Sequence, residues 1–288
     1  MAARKQVNGL KHRKAPAGQN FLREARIAER IVDALGDVSA RTVLEIGPGP
    51  GILTELLARR AGRLVAVELD RVLTAQLRMR FAREPNVEII EGNILDVSLA
   101  GLLRTRTQPL AGMAAHAADF KLDVIGNLPY YITSDILLHL LAQHAGIERL
   151  VIMVQKEVAD RIAASPRSRD YGLLSATVQL HGEVEKLFAV APGAFQPSPK
   201  VTSAVLRITV NPKWSELGVE RAGFLAFLKL SFGQKRKKLA NNLKLQYSEP
   251  AIRQALQSAG IPLDIRAEAL DLGKMAGIYR ALDTATQA

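Results

Sequence analysis

From residue 42 onward the chain alternates short apolar runs with stretches of helical spacing. Residues 42–47 (TVLEIG), 64–70 (LVAVELD), 87–95 (VEIIEGNIL), 122–127 (LDVIGN) and 148–155 (ERLVIMVQ) read as strands, and residues 51–60 and 71–84 as helices between them. Near-continuous apolar runs belong to strands covered on both faces. Such strands separated by helices make a mostly parallel sheet with helices on both sides, so the expected fold class is α/β. A further helix is expected over 23–36 and a late strand over 201–208. After Asn211-Pro212 the Leu and Phe residues fall at helical spacing, which places a boundary near residue 210. The expected organisation is a basic flexible arm over 1–18, an α/β domain over 19–210 and a small all-helical domain over 211–288. Residues 98–120 have no pattern that assigns them to an element.

The charge balance points to a polyanionic partner. The 288 residues carry a formal net charge of +11, and a surface that basic most often meets nucleic acid. No acidic residue precedes Glu24, and none lies between Glu220 and Glu249, where Lys235, Arg236, Lys237 and Lys238 form a run. A charge run alone is more often a solvated face, but two acid-free basic stretches in one basic chain favour RNA or DNA. There is no cysteine, so disulfides and thiolate metal sites are excluded. The five histidines have no ligand spacing, and no metal is expected. No apolar run reaches the roughly 20 residues of a membrane helix, and the basic N-terminus lacks a signal-peptide core, so a cytoplasmic protein is expected.

The first strand runs into EIGPGPG at residues 45–51. Gly47, Gly49 and Gly51 allow a sharp turn and a close approach of backbone to ligand, with a helix N-terminus beneath. The spacing is G-x-G-x-G, which argues against the dinucleotide pattern G-x-G-x-x-G. The second strand ends in Glu68-Leu-Asp70. A carboxylate at that strand tip can accept from both ribose hydroxyls, a role that suits Glu68, whereas Asp70 suits a helix N-terminus. Glycine loop and acidic tip together indicate a nucleoside cofactor, with S-adenosylmethionine favoured.

The fourth strand leads into IGNLPYYI at residues 125–132, an amide, a proline and two aromatics at a sheet edge where open parallel sheets bind ligands. Pro129 restricts Leu128 to an extended backbone and so aims the Leu128 carbonyl. The Asn127 amide oxygen adds a second acceptor, and two acceptors facing one point suit an amino group with two hydrogens. Tyr130 offers a flat face on which a base can stack. The bland reading is an Asx-type turn with core tyrosines.

Taken in order, GQNFL (18–22), EIGPGPG (45–51), VELD (67–70), GNLPYYI (126–132), MVQKEVADRI (153–162), YGLLSATVQ (171–179), FQPSPKVTSAV (195–205) and FGQKRKKLANNL (232–243) resemble the ribosomal RNA adenine N6,N6-dimethyltransferases, and within them the bacterial small-subunit branch. That resemblance implies a Rossmann-like class I S-adenosylmethionine-dependent methyltransferase with a small C-terminal all-helical domain. It also implies that Asn20, Leu22, Gly47, Glu68 and Asn127 contact the cofactor, that Tyr130 stacks on the target adenine, and that Phe195 closes the base's other face. Lys235, Arg236, Lys237 and Lys238 would grip rRNA phosphates. The implied reaction is dimethylation of two adjacent adenosines in the 3′-terminal helix of 16S rRNA, carried out by a monomer during small-subunit assembly. The chain departs from the family at Asn93, where the usual residue is an aspartate that accepts from the cofactor's adenine. An amide oxygen can still accept, without charge assistance. The 98–120 segment is also longer than the family's usual link. Two other readings are a large-subunit adenine methyltransferase of the macrolide-resistance type and a non-catalytic RNA-binding assembly factor.

Overall fold

The structure, a computed structural model, describes residues 20–104, 121–234 and 237–287. The basic arm over 1–18 and most of the unassigned 98–120 segment lie outside these residues. So do Lys235 and Arg236.

Seven strands form one sheet: β2 (Thr42–Ile46), β3 (Arg63–Glu68), β4 (Val87–Glu91), β5 (Leu122–Asn127), β6 (Ile147–Gln155), β7 (Gly182–Val190) and β9 (Ser203–Val210). Their order across the sheet is β4-β3-β2-β5-β6-β9-β7. The first five strands in that order are parallel, and β9 runs antiparallel between β6 and β7. A separate two-stranded piece pairs β1 (Phe21–Leu22) with β8 (Phe195–Gln196). The expected fold class is the observed one.

The apolar runs are continuous because neighbouring residues enter opposite cores. Leu44, Val124 and Ile152 face the cluster under α5 (Thr133–Ala142). Val43, Ile125 and Val151 face the cluster built by α1 (Ala25–Asp33) and α2 (Ile52–Arg60). The central strands sit close together at one point. A Cβ at Gly126 would lie 2.6 Å from the Ile46 carbonyl oxygen, so the β2–β5 contact requires glycine there.

Three expected boundaries move. The strand begun at Val87 ends at Glu91, because Asn93 caps a single 3₁₀ turn over Ile94–Asp96. The helix after the second strand, α3 (Arg71–Arg80), stops four residues early, and Asp70 caps its start by accepting from Val72 and Leu73. The late strand begins at Ser203, leaving Val201 in an exposed loop. Residues 98–120, left unassigned, contribute helix α4 over Leu99–Arg104.

After β9 the chain is helical: α8 (Trp214–Leu217), α9 (Arg221–Ser231), α10 (Leu239–Leu243), α11 (Glu249–Ser258) and α12 (Leu272–Gln287). Phe224, Phe227, Leu243, Leu256 and Ile278 form their core. That core also takes in Tyr171 from the connection after α6 (Lys156–Ile162) and Ala176 and Leu180 from α7 (Leu173–His181). The helices are therefore packed onto the α/β unit through α7. At the same junction His144, His181 and Trp214 meet edge to face, and the Arg221 guanidinium lies 5.6 Å over the Trp214 ring.

Candidate active site

From the neighbouring parallel strands β2 and β5 the chain continues to opposite sides of the sheet, to β3 and to β6, and the crevice at their C-terminal ends is where such sheets take ligands. A cleft of about 270 Å³ opens there. It is lined by Asn20, Phe21, Gly47, Gly49, Glu68 and the run Asn127, Leu128, Pro129, Tyr130 and Tyr131. Four separate stretches of the resemblance thus reduce to three walls: a strap before α1, the glycine loop with its acidic tip, and the NLPYY turn.

The glycine loop folds as its composition requires. Gly47, Gly49 and Gly51 have φ of 62°, 57° and 91°, the left-handed region that side-chain-bearing residues avoid. At Gly49 a Cβ would lie 2.8 Å from the Phe21 ring, so the strap lies directly on the loop. Gly51 caps α2 and does not line the cleft; a Cβ there would meet Leu77.

Glu68 is 2% exposed at the tip of β3. One carboxylate oxygen accepts from the Gly49 N–H at 3.0 Å and the other from the Asp70 N–H at 2.9 Å. Each oxygen keeps a lone pair, so the same group can hold the loop and still accept from two vicinal hydroxyls. Burial raises the Glu68 pKa, opposed by these backbone donors. Beneath it Glu45 is 1% exposed, and burial pushes its carboxyl up to about 8, with the Glu68 charge adding to the effect. The sequence reading gave Glu45 no role, although an acid inside an apolar strand was a visible signal.

The NLPYY turn is pinned from both sides. The Leu128 N–H donates to Met153 of β6, and the Thr133 hydroxyl donates to the Pro129 carbonyl. The Leu128 side chain is 1% exposed, so what this residue offers the cleft is main chain. Asn127 donates through Nδ2 to the Asn20 carbonyl at 3.0 Å. Its Oδ1 is buried and has no hydrogen-bond partner. A buried unsatisfied acceptor is costly and calls for an account. At the floor of a cleft, a donor on the ligand supplies one. Tyr130 is half-buried with its ring on the cleft, and Tyr131 beside it is 61% exposed.

Other expected residues fall elsewhere. Phe195 is 3% exposed in the core, paired with Leu22 across β1 and β8, and does not line the cleft. Its ring packs in the cluster that α1, α2 and the strap share, beside Leu22 and Val205. Leu22 is likewise a core residue. Asn93 does not line the cleft, and its Oδ1 accepts from the Leu95 N–H at 3.1 Å. Lys237 and Lys238 are exposed just before α10. Phe21 and Tyr131 line the cleft but were not singled out, because an aromatic beside a motif looks the same whether it packs or binds.

Seven-stranded α/β fold, left-handed glycine loop, acidic strand tip and an orphaned amide acceptor define a class I S-adenosylmethionine-dependent methyltransferase. The residues present fit that cofactor: the close-approach glycines admit its chain and Glu68 retains lone pairs for its ribose. The family model for ribosomal RNA adenine dimethylases matches residues 11–284, and the chain belongs to that family. It is 55% identical over 282 residues to the ribosomal RNA small subunit methyltransferase A of Koribacter versatilis, covering 98% of both chains. It is 53% identical to the protein of that name from Acidobacterium capsulatum, over 94% of this chain and 91% of that one. Among solved structures it is similar to a Plasmodium falciparum dimethyladenosine transferase, at TM-score 0.76 and 21% identity over 92% of this chain and 98% of that one. It is also similar to the 23S rRNA methyltransferase ErmE, at TM-score 0.66 and 26% identity over 92% of this chain and all of that one.

Proposed function

We propose that this enzyme dimethylates the N6 amines of two adjacent adenosines in the 3′-terminal helix loop of 16S rRNA, acting as a cytoplasmic monomer on the small subunit or its precursor. The observation that carries the chemistry is the Asn127 amide: its donor end is held by Asn20, and its acceptor end is buried without a partner. An adenine amine is the donor that satisfies it. S-adenosylmethionine, when bound, supplies an electrophilic methyl group. Asn127 Oδ1 and the Leu128 main chain accept the two amine hydrogens. Acceptors so placed favour the pyramidal nitrogen of the transition state over the flat, conjugated amine of the ground state. Tyr130 stacks on the base and fixes its orientation, which supplies much of the remaining acceleration. A paired base would have to leave its stack to enter, so a loop adenosine suits the cleft.

The small subunit is favoured by the level of likeness. Identity to proteins named for the small subunit reaches 55%, against 26% to the large-subunit enzyme ErmE. No helix among the described residues is long and apolar enough to cross a membrane. The test uses labelled S-adenosylmethionine with unmodified small subunits, and large subunits as control, followed by RNA digestion and mass spectrometry. Dimethyladenosine in the small-subunit 3′ helix is the expected product. Label on large-subunit RNA instead, or RNA binding without transfer, would overturn the proposal.

A further inference from the structure

The tyrosine that faces the cleft is not held by the turn that carries it. The Tyr130 hydroxyl lies 2.6 Å from the Ser203 hydroxyl. Ser203 is fully buried and opens β9, where it pairs with Gln155 of β6 and Val190 of β7. The Thr202 carbonyl just before it accepts the Lys156 N–H, so the strand start is fixed on two sides. The far end of the Tyr130 ring is thus bonded to the rigid sheet, while the residue itself lines the cleft. Burial raises the Tyr130 pKa, so the hydroxyl stays neutral and can donate or accept in this pair.

We infer that Ser203 is a positioning residue for methyl transfer: it holds the Tyr130 ring at the angle at which an incoming adenine stacks. This rests on Tyr130 being the stacking residue. A phenol deprived of its buried partner leaves a polar group unpaired, a cost that a turn of the ring toward solvent would relieve. Nothing about Ser203 reaches the cleft itself, so its effect runs through one hydroxyl pair.

The test is a double-mutant cycle on Ser203→Ala and Tyr130→Phe, with kcat on unmodified small subunits, cofactor Kd and Tm measured for each. Each single variant is expected to lower kcat about tenfold, the scale of one lost buried hydroxyl pair. The double variant should fall no further than the worse single, and cofactor Kd should stay within about twofold. The inference is overturned if Ser203→Ala keeps kcat within about twofold, if the two losses multiply, or if cofactor affinity falls in step with kcat. Should Ser203→Ala fail to fold, Tyr130→Phe decides alone, and unchanged kcat overturns the inference. Tyr130→Ala separates the two levels. Full activity in that variant refutes stacking itself, whereas an inactive Tyr130→Ala beside an active Ser203→Ala refutes only the tether.

Discussion

An asparagine amide has a donor end and an acceptor end of nearly equal size, and the Asn20 carbonyl decides which one Asn127 turns to the cleft. Asn127→Ala should reduce methyl transfer by about a hundred- to a thousandfold, the scale set by losing one transition-state hydrogen-bonding group, while subunit binding measured by co-sedimentation persists. Near-normal turnover would refute the role. Asn93 reads differently once its oxygen is seen capping a turn. Asn93→Asp keeps that cap and adds charge, and titration calorimetry should show tighter cofactor binding; equal or weaker binding would end that reading. Glu45 titrates with the fold. Its carboxyl is neutral when folded, with a pKa near 8, and ionises at its ordinary value of 4.5 when unfolded. The unfolded state therefore gains as pH rises, and stability falls from about pH 5 to about pH 8 by on the order of a few kcal/mol. Glu45→Gln should flatten that fall in denaturant titrations across this range; an unchanged slope would assign it to another buried acid.

At the scale of elements, the central strands were legible because burial on both faces leaves an unbroken apolar run. The span of β5 matches its expectation residue for residue. What was not legible is equally physical. The strand β8 has two residues, Phe195 and Gln196, and its partner β1 lies 173 positions away. No local pattern encodes so distant a pairing, so the burial of Phe195 against the strap was not legible. Helices α5, α6 and α7 passed unnoticed beside the motifs they contain or follow. Gly126 was quoted for its place in a motif, yet its reason is the 2.6 Å approach of the Ile46 carbonyl. Gly126→Ala should spread β2 from β5 and cost about 1–3 kcal/mol, read as a shift in denaturation midpoint; an unshifted midpoint would mean the sheet yields without cost.

For the whole molecule, the basic composition is the part of function most openly written in the chain, and it gathers in two acid-free stretches, one before Glu24 and one between Glu220 and Glu249 on the helical tail. Neutralising Lys235, Arg236, Lys237 and Lys238 together should weaken RNA binding and reduce the slope of log affinity against log salt by roughly 3. An unchanged slope would move the phosphate contacts elsewhere. The order of the chain also bears on when the enzyme becomes competent. Asn20 holds Asn127, and the strap that carries Asn20 is itself fastened by β8, through Arg23 to Ala194 and Gln196. On a ribosome making this protein, every wall of the cleft would have emerged before the fastening that keeps its amide turned the right way. A nascent chain halted short of Phe195 would carry the residues of the cleft without the pairing that fastens the strap, so on the proposed role of Asn127 competence would come only with about two-thirds of the chain made.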